Sequence, residues 1–212
     1  MHPIPNNVRA IILDYGMVLC RQPSLQEIDR MAQIFGVDHP TFWQLYEKNR
    51  GAYDKNDIGG NEYWGRFASD TNTPLDDVTL EKLLRWDIEM WSHLEEPLLS
   101  WTRSLQAGGF QTALLSNVHL RFSAHIRSGS EWLQLFDHLI FSSEVRLIKP
   151  DPAIFLKCLQ ALGVKPEQTL FIDDRDANVK TAIALGGYAI KYESVPQLAT
   201  NLKALQFPVL PL

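Results

Sequence analysis

Three short apolar runs, each stopping on a polar residue, constrain this chain more than any other feature of it. Val8 to Leu13 runs into Asp14, Gln111 to Leu115 into Ser116, and Thr169 to Ile172 into Asp173. Short runs of β-branched and aliphatic residues of this kind suit strands buried on both faces of a parallel sheet. Asp137 to Phe141 and Tyr188 to Lys191 fit as a fourth and a fifth strand. Helical segments lie between them. Pro97 to Leu105 precedes the Gly108-Gly109 break, and Ala177 to Leu185 closes at Gly186-Gly187. Asp151 suits an N-cap with Pro152 at the first helical position, and Ile154, Phe155, Cys158, Leu159 and Leu162 make one apolar face before Gly163. The alternation predicts an α/β fold, a Rossmann-like three-layer core around a parallel sheet.

The stretch from about Ser24 to Ser92 breaks that rhythm. Ser24 and Glu27 make a capping box, after which Leu25, Ile28, Met31, Ala32 and Phe35 recur at helical spacing. Helices are expected around Phe42 to Glu47, Asn61 to Phe67 and Leu80 to Trp91; Arg50 to Asn61 reads as a loop between them, of a kind that often reaches an active site, with an ordinary connection as the plainer reading. The dense aromatics (Phe42, Trp43, Tyr46, Tyr53, Tyr63, Trp64, Phe67, Trp86, Trp91) are expected to form mostly the core of this helical insert. A hinge would fall in Cys20 to Pro23.

The 212 residues suffice for one domain with an insert and a proper core. The net charge of −5 is mild and charges of both signs are interspersed, without the basic stripe that a nucleic-acid surface needs. No apolar run approaches the roughly 18 to 20 residues of a membrane span, and Met1 to Asn7 lack the basic and apolar regions of a secretory signal. The two cysteines, Cys20 and Cys158, are far apart and not in a metal-binding spacing. These features predict a cytoplasmic protein with neither nucleic acid nor membrane as partner; monomer and homodimer both stay open.

Ligands of open parallel sheets bind beyond the carboxyl ends of the strands. There the chain carries Asp14, Ser116-Asn117 and Asp173-Asp174, with Lys149 in a loop before a helix. Crowded carboxylates repel one another unless a cation holds them. Magnesium takes oxygen ligands and leaves positions for a substrate phosphate, and a lysine adds a point charge for that phosphate. Taken singly, each of these residues has a plainer explanation as a cap or turn residue.

Four stretches, in order and at suitable distances, resemble the haloacid-dehalogenase-like superfamily. They are Ile11-Ile12-Leu13-Asp14-Tyr15-Gly16-Met17-Val18-Leu19, Ala113-Leu114-Leu115-Ser116-Asn117, Lys149-Pro150-Asp151-Pro152-Ala153-Ile154-Phe155, and Leu170-Phe171-Ile172-Asp173-Asp174 followed by Asn178, Ala182 and Gly186. The chain is similar to the subgroup with a C1-type helical cap, which includes sugar-1-phosphate phosphatases and the phosphatase domain of soluble epoxide hydrolase. The resemblance implies an α/β core of residues 1–19 and 93–212, a helical cap of 20–92 inserted after the first strand, and a magnesium-dependent hydrolase of a small phosphorylated metabolite. Asp14 would be the nucleophile and form an aspartyl-phosphate that water hydrolyses. Asp14, the Gly16 carbonyl and Asp174 would hold Mg2+, with Asp173 as a further ligand or a partner behind them. Ser116, the Asn117 backbone amide and Lys149 would hold the phosphoryl oxygens. Asn178 would orient the acidic loop or be a plain helix residue.

The chain departs from the family pattern at Gly16. Most of these phosphatases carry a second Asp there as acid and base, and a Gly where this chain has Met17. A positioned acid or base contributes about 10²–10⁴ in rate. Three explanations stay open. The substrate has a good leaving group, such as an acyl, anomeric or aryl phosphate, as the Gly-bearing relatives suggest. Or another side chain supplies the proton, either His119 (otherwise a loop histidine near the surface) or one from the cap. Or catalysis is lost and binding kept. Arg146, where relatives often carry Gly, has no assigned role. Two rival functions share the fold: a metal-independent haloacid dehalogenase, whose tyrosine stands one place later and which lacks the paired aspartates, and a non-catalytic binding module.

Overall fold

The computed structural model describes residues 7–211. Met1 to Asn6, which carry most of the expectation about a secretory signal, lie outside the described residues. Five parallel strands form one sheet: β1 (Ala10–Leu13), β2 (Gln111–Ser116), β3 (His138–Phe141), β4 (Thr169–Asp173) and β5 (Tyr188–Lys191), in the order β3-β2-β1-β4-β5. All four residues of β1 are buried, and a strand that is apolar on both faces belongs at the centre of a covered sheet. Ile11 and Leu13 enter one apolar layer, Ala10 and Ile12 the other. Each such side chain contributes about 1.5–3 kcal/mol on burial.

Helices α6 (Glu96–Ala107), α7 (Leu120–Gly129) and α11 (Val195–Ala204) cover the first face through Leu98, Leu105, Phe122, Ile126, Leu198 and Leu202. Helices α9 (Pro152–Leu162) and α10 (Asp176–Ala184) cover the second through Ile154, Phe155, Cys158, Leu159 and Ala182. These make the three layers. A single turn, α8 (Ser142–Val145), joins β3 to the loop before α9. The Asp151 carboxylate accepts the Ala153 N–H at the start of α9, and Gly163 ends it with φ 65°.

Between β1 and α6, helices α1 (Leu25–Phe35), α2 (His39–Lys48), α3 (Arg50–Asp54), α4 (Gly60–Asp70) and α5 (Asp77–Met90) pack around an apolar cluster of their own. The Ser24–Glu27 capping box is formed at α1. Phe42, Tyr46, Tyr53, Tyr63, Trp64 and Phe67 are buried in this cluster, whereas Trp43, Trp86 and Trp91 are only partly covered. The two passages of chain joining insert to core run side by side, with Arg21 N–H donating to the His93 carbonyl and Glu95 N–H to the Leu19 carbonyl, both at 2.8 Å. β1 has β2 on one side and β4 on the other, so the connections leaving the centre of the sheet diverge and open a crevice at its carboxyl edge.

Candidate active site

Leu13 pairs with Leu114 on one side and Ile172 on the other. The three strands therefore end at nearly one level, and Asp14, Ser116 and Asp173 emerge together. Asp14 Oδ1 accepts from the Tyr15 N–H at 2.6 Å and the Ser116 hydroxyl at 2.8 Å, and forms an ion pair with Lys149 Nζ at 2.8 Å. The same ammonium donates to Asp173 Oδ2 at 2.7 Å. Asp173 Oδ1 accepts from the Arg175 N–H at 2.8 Å and from Asn178 Nδ2 at 2.9 Å. Asn178 is buried and reaches both oxygens of Asp173, which a plain helix residue would not do. The Asn117 side chain clamps the Lys149 loop, donating to the Lys149 carbonyl and accepting its N–H, both at 2.9 Å. All the strand-end residues singled out in the sequence thus meet in one place.

Their charges do not balance. Carboxylate oxygens of Asp14, Asp173 and half-buried Asp174 lie within 4.8 Å of one another, with one ammonium between them. Burial pushes the Asp14 carboxyl up to about 7; Lys149 resists, and the charge of Asp173 adds to the rise. Burial and then Asp173 also raise Asp174. For Asp173 burial acts upward too, but Lys149 and its hydrogen bonds outweigh it and hold the carboxyl low. Burial disfavours the charge on Lys149, yet Asp14 and Asp173 outweigh that and keep it protonated. Three carboxyl groups share one ammonium, so negative charge is in excess once Asp14 ionises, and an all-oxygen set suits a hard divalent cation such as magnesium.

A cavity of about 340 Å³ opens above these residues, and the insert forms its other wall through Tyr46, Glu47, Arg50, Asp54 and Trp91. The expected plain connection from Arg50 to Asn61 is therefore not one: its first turn is α3, which lines the cavity. Arg50 Nε lies 2.9 Å from Asp54 Oδ1, and Nη1 lies 3.2 Å from Asp87 Oδ1. Nη1 also donates to the Tyr46 hydroxyl, which donates to Asp87 at 2.5 Å and accepts from Trp91 Nε1 at 2.9 Å. Glycines at 51, 59 and 60 suggest a loop, but Arg50 and Asp54 stand four apart, the spacing of a helical ion pair. That was the available signal. At the rim, Glu47 pairs with Arg175 across insert and core at 3.1 Å.

His119 is neither at the surface nor on the cavity wall. It is fully buried at the N-cap of α7, where Nδ1 accepts the Phe122 N–H, its ring stacks on Tyr53, and Nε2 lies 3.3 Å from Asp87 Oδ2. Met17 and Arg146, the two positions where the family resemblance led to an expectation of Gly, both have positive φ, 59° and 56°. A side chain in that region costs roughly 1–2 kcal/mol. At Arg146 the guanidinium donates to the Asn56 carbonyl, tying core to insert.

The model of the haloacid dehalogenase-like hydrolases matches residues 7–186. Acyl-CoA dehydrogenase family member 10 of Mus musculus is 37% identical over 105 residues, 48% of this chain but 9% of that protein. Flavin mononucleotide hydrolase 1 of Arabidopsis thaliana is 26% identical over 200 residues, covering 92% of this chain and 76% of that one. The chain thus spans less than a tenth of the first of these relatives and about three quarters of the second. A HAD family enzyme of Bacteroides thetaiotaomicron, bt-2542, solved with magnesium and inorganic phosphate, shares the fold at a TM-score of 0.72 and 18% identity, over 88% of this chain and 94% of that one.

Proposed function

Because this chain belongs to the haloacid dehalogenase-like hydrolases, we propose that it is a magnesium-dependent phosphatase that hydrolyses a small phosphorylated metabolite through an aspartyl-phosphate at Asp14. The observation that carries the proposal is the cluster of three carboxylates around the single shared ammonium of Lys149. The magnesium and phosphate of the Bacteroides enzyme and the hydrolase name of the Arabidopsis relative support it. Asp14, the Gly16 carbonyl and Asp174 would hold the metal, with Asp173 beside them. The ion would neutralise the excess carboxylate charge and draw charge from the phosphoryl oxygens. Residues 20–92 would act as the cap over a core of 1–19 and 93–212.

In the first step an Asp14 carboxylate oxygen attacks phosphorus, the bond to the leaving oxygen breaks, and its electron pair departs with that oxygen. The Ser116 hydroxyl, the Asn117 N–H and the Lys149 ammonium hold the phosphoryl oxygens meanwhile. Water then attacks phosphorus and displaces Asp14, which regains its carboxylate as inorganic phosphate leaves. Position 16 offers no carboxyl to protonate the leaving group. A Cβ there would meet Trp91 at an ordinary 3.7 Å, so space does not account for the glycine. The proposal therefore includes a preference for good leaving groups.

The test is hydrolysis of para-nitrophenyl phosphate and acetyl phosphate with and without magnesium, alongside Asp14→Asn. Turnover should need both the metal and Asp14, the variant losing on the order of 10⁴-fold or more. Rates on a series of aryl phosphates should fall steeply as the leaving-group pKa rises; a flat series with chemistry rate-limiting removes the leaving-group preference. No turnover above the variant would favour a binding module, and metal-free halide release from a 2-haloacid a dehalogenase.

A further inference from the structure

The loop from Ser116 to His119, which carries two of the groups assigned to the phosphate, is held from both sides. On the core side the Ser116 hydroxyl donates to Asp14, and the Asn117 side chain clamps the Lys149 loop. The other side is the insert. The Val118 N–H donates to the Ser142 hydroxyl oxygen at 2.9 Å, and that hydroxyl donates to the Asp54 carbonyl of α3 at 2.7 Å. His119 comes next in the loop. Its Nδ1 accepts the Phe122 N–H, so Nε2 carries the ring proton and faces Asp87 of α5 at 3.3 Å. The ring lies flat on Tyr53 of α3, with centroids 4.3 Å apart and planes 9° from parallel. Ser142, His119 and Asp87 are fully buried.

Insert and core are also tied at the surface, through Glu47–Arg175 and Glu81–Arg121, but those side chains are about half exposed and such pairs hold little. The buried ties act on one short loop. Only Asn117, Val118 and His119 separate β2 from α7, and two of the three take partners from the insert, directly or through Ser142. Each residue has only two soft backbone torsions, so the loop cannot shift at Val118 and His119 without moving Asn117. We propose that Ser142 and His119 are positioning residues: through them the insert, once seated on the core, sets the Ser116–Asn117 end of the loop where it holds phosphate. The coupling runs both ways, because a ligand that binds the seated form better also holds it seated. The magnesium groups lie on other loops, Asp14 and Gly16 after β1 and Asp174 after β4. The inference rests on the phosphatase reading only in taking Ser116 and the Asn117 N–H as the groups that hold phosphate.

The experiment compares two affinities by calorimetry: magnesium alone, and inorganic phosphate at saturating magnesium. His119→Asn keeps an oxygen to cap α7 but is too short to reach Asp87 or cover Tyr53, and Ser142→Ala removes the bridging hydroxyl. Each variant should bind phosphate about tenfold more weakly and magnesium as tightly as the unmutated protein does. Equal weakening of both ligands would show a merely structural role and overturn the proposal, as would unchanged phosphate affinity in either variant. The reverse direction needs no variant, so it decides even where neither one folds. In the unmutated protein phosphate should slow amide hydrogen exchange in α3 and α5 as well as around Ser116; protection confined to the core overturns the proposal. This coupling without turnover of aryl phosphates would sink the phosphatase reading and leave the positioning role standing. Turnover without the coupling would do the reverse, and failure of the unmutated protein to bind phosphate would sink both.

Discussion

Two buried networks face each other across the cavity, and each sets one cation between two carboxylates. In the core Lys149 stands between Asp14 and Asp173, at 2.8 and 2.7 Å. In the helical insert, the proposed cap, Arg50 stands between Asp54 and Asp87, at 2.9 and 3.2 Å. They differ in what surrounds the pair. Asp174 adds a third carboxylate to the core site, where burial above all raises Asp14 to about 7. In the cap, burial pushes Asp87 upward, but Arg50, His119 and the Tyr46 hydroxyl outweigh it and hold Asp87 well below the usual carboxylate range. One network is left unbalanced, as the proposed binding of a metal and a phosphate would require. The cap network is closer to balance and fixes the position of a guanidinium.

Changes on either side should break this contrast unequally. Lys149→Met leaves two buried carboxylates without their cation. It should lower kcat by about 10²–10³-fold and destabilise the metal-free protein by about 3–5 kcal/mol, measured by urea unfolding with and without magnesium; an unaffected kcat would remove Lys149 from phosphoryl binding. Asp14→Asn should act in the opposite sense on stability. The folded carboxyl keeps its proton up to about pH 7, while the reference value is 3.8. The folded state therefore binds more protons between those values, and the metal-free protein loses stability as pH rises through that window. The variant should be more stable than the parent by about 1–3 kcal/mol at pH 8, converge with it near pH 4, and lose the advantage when magnesium is added. A variant less stable at pH 8 would show that the unbalanced charge is not there.

Asp87→Asn tests the cap network with the sign reversed. A depressed carboxyl contributes stability above its unfolded value and loses it as pH falls toward its folded one. The variant should cost about 1–3 kcal/mol at pH 7, with the gap narrowing below pH 4, in thermal melts across pH. The smallest effect is expected at the rim, where Glu47 and Arg175 are about half exposed. Glu47→Gln should change stability by less than about 1 kcal/mol, and a larger loss would mean that this pair holds the cap shut.

The core network was legible because strand ends are legible. Three apolar runs mark where the chain must enter a sheet, and in a parallel sheet the residues after those runs share one edge. Asp14, Ser116 and Asp173 could therefore be brought together without coordinates. Asn178 was half legible: its place one helical turn beyond Asp174 follows from spacing, but its two bonds to Asp173 needed the fold. The cap network was not legible, although its residues are ordinary. Tyr46, Arg50, Asp54 and Asp87 lie in three helices of one bundle, and helical periodicity says which residues are buried without saying which meet. His119 shows the same limit, since a polar residue after a strand suggests a surface loop until Asp87 and Tyr53 are found packed against it.

The sequence alone determined the α/β class, the parallel sheet, the place of the helical insert and the acidic site at the sheet's edge. Those follow from local patterns: apolar runs as long as strands, caps and glycines at helix ends, and polar residues at the points where strands stop. Only the tertiary structure decided that Arg50 and Asp54 face the cavity, that Met17 and Arg146 keep a backbone conformation usually given to glycine, and that His119 belongs to the cap's ion network. The placements of Arg50, Asp54, Arg146 and His119 depend on how the insert and the core approach each other. That approach is settled by side chains dozens of residues apart, and it leaves no period in the sequence.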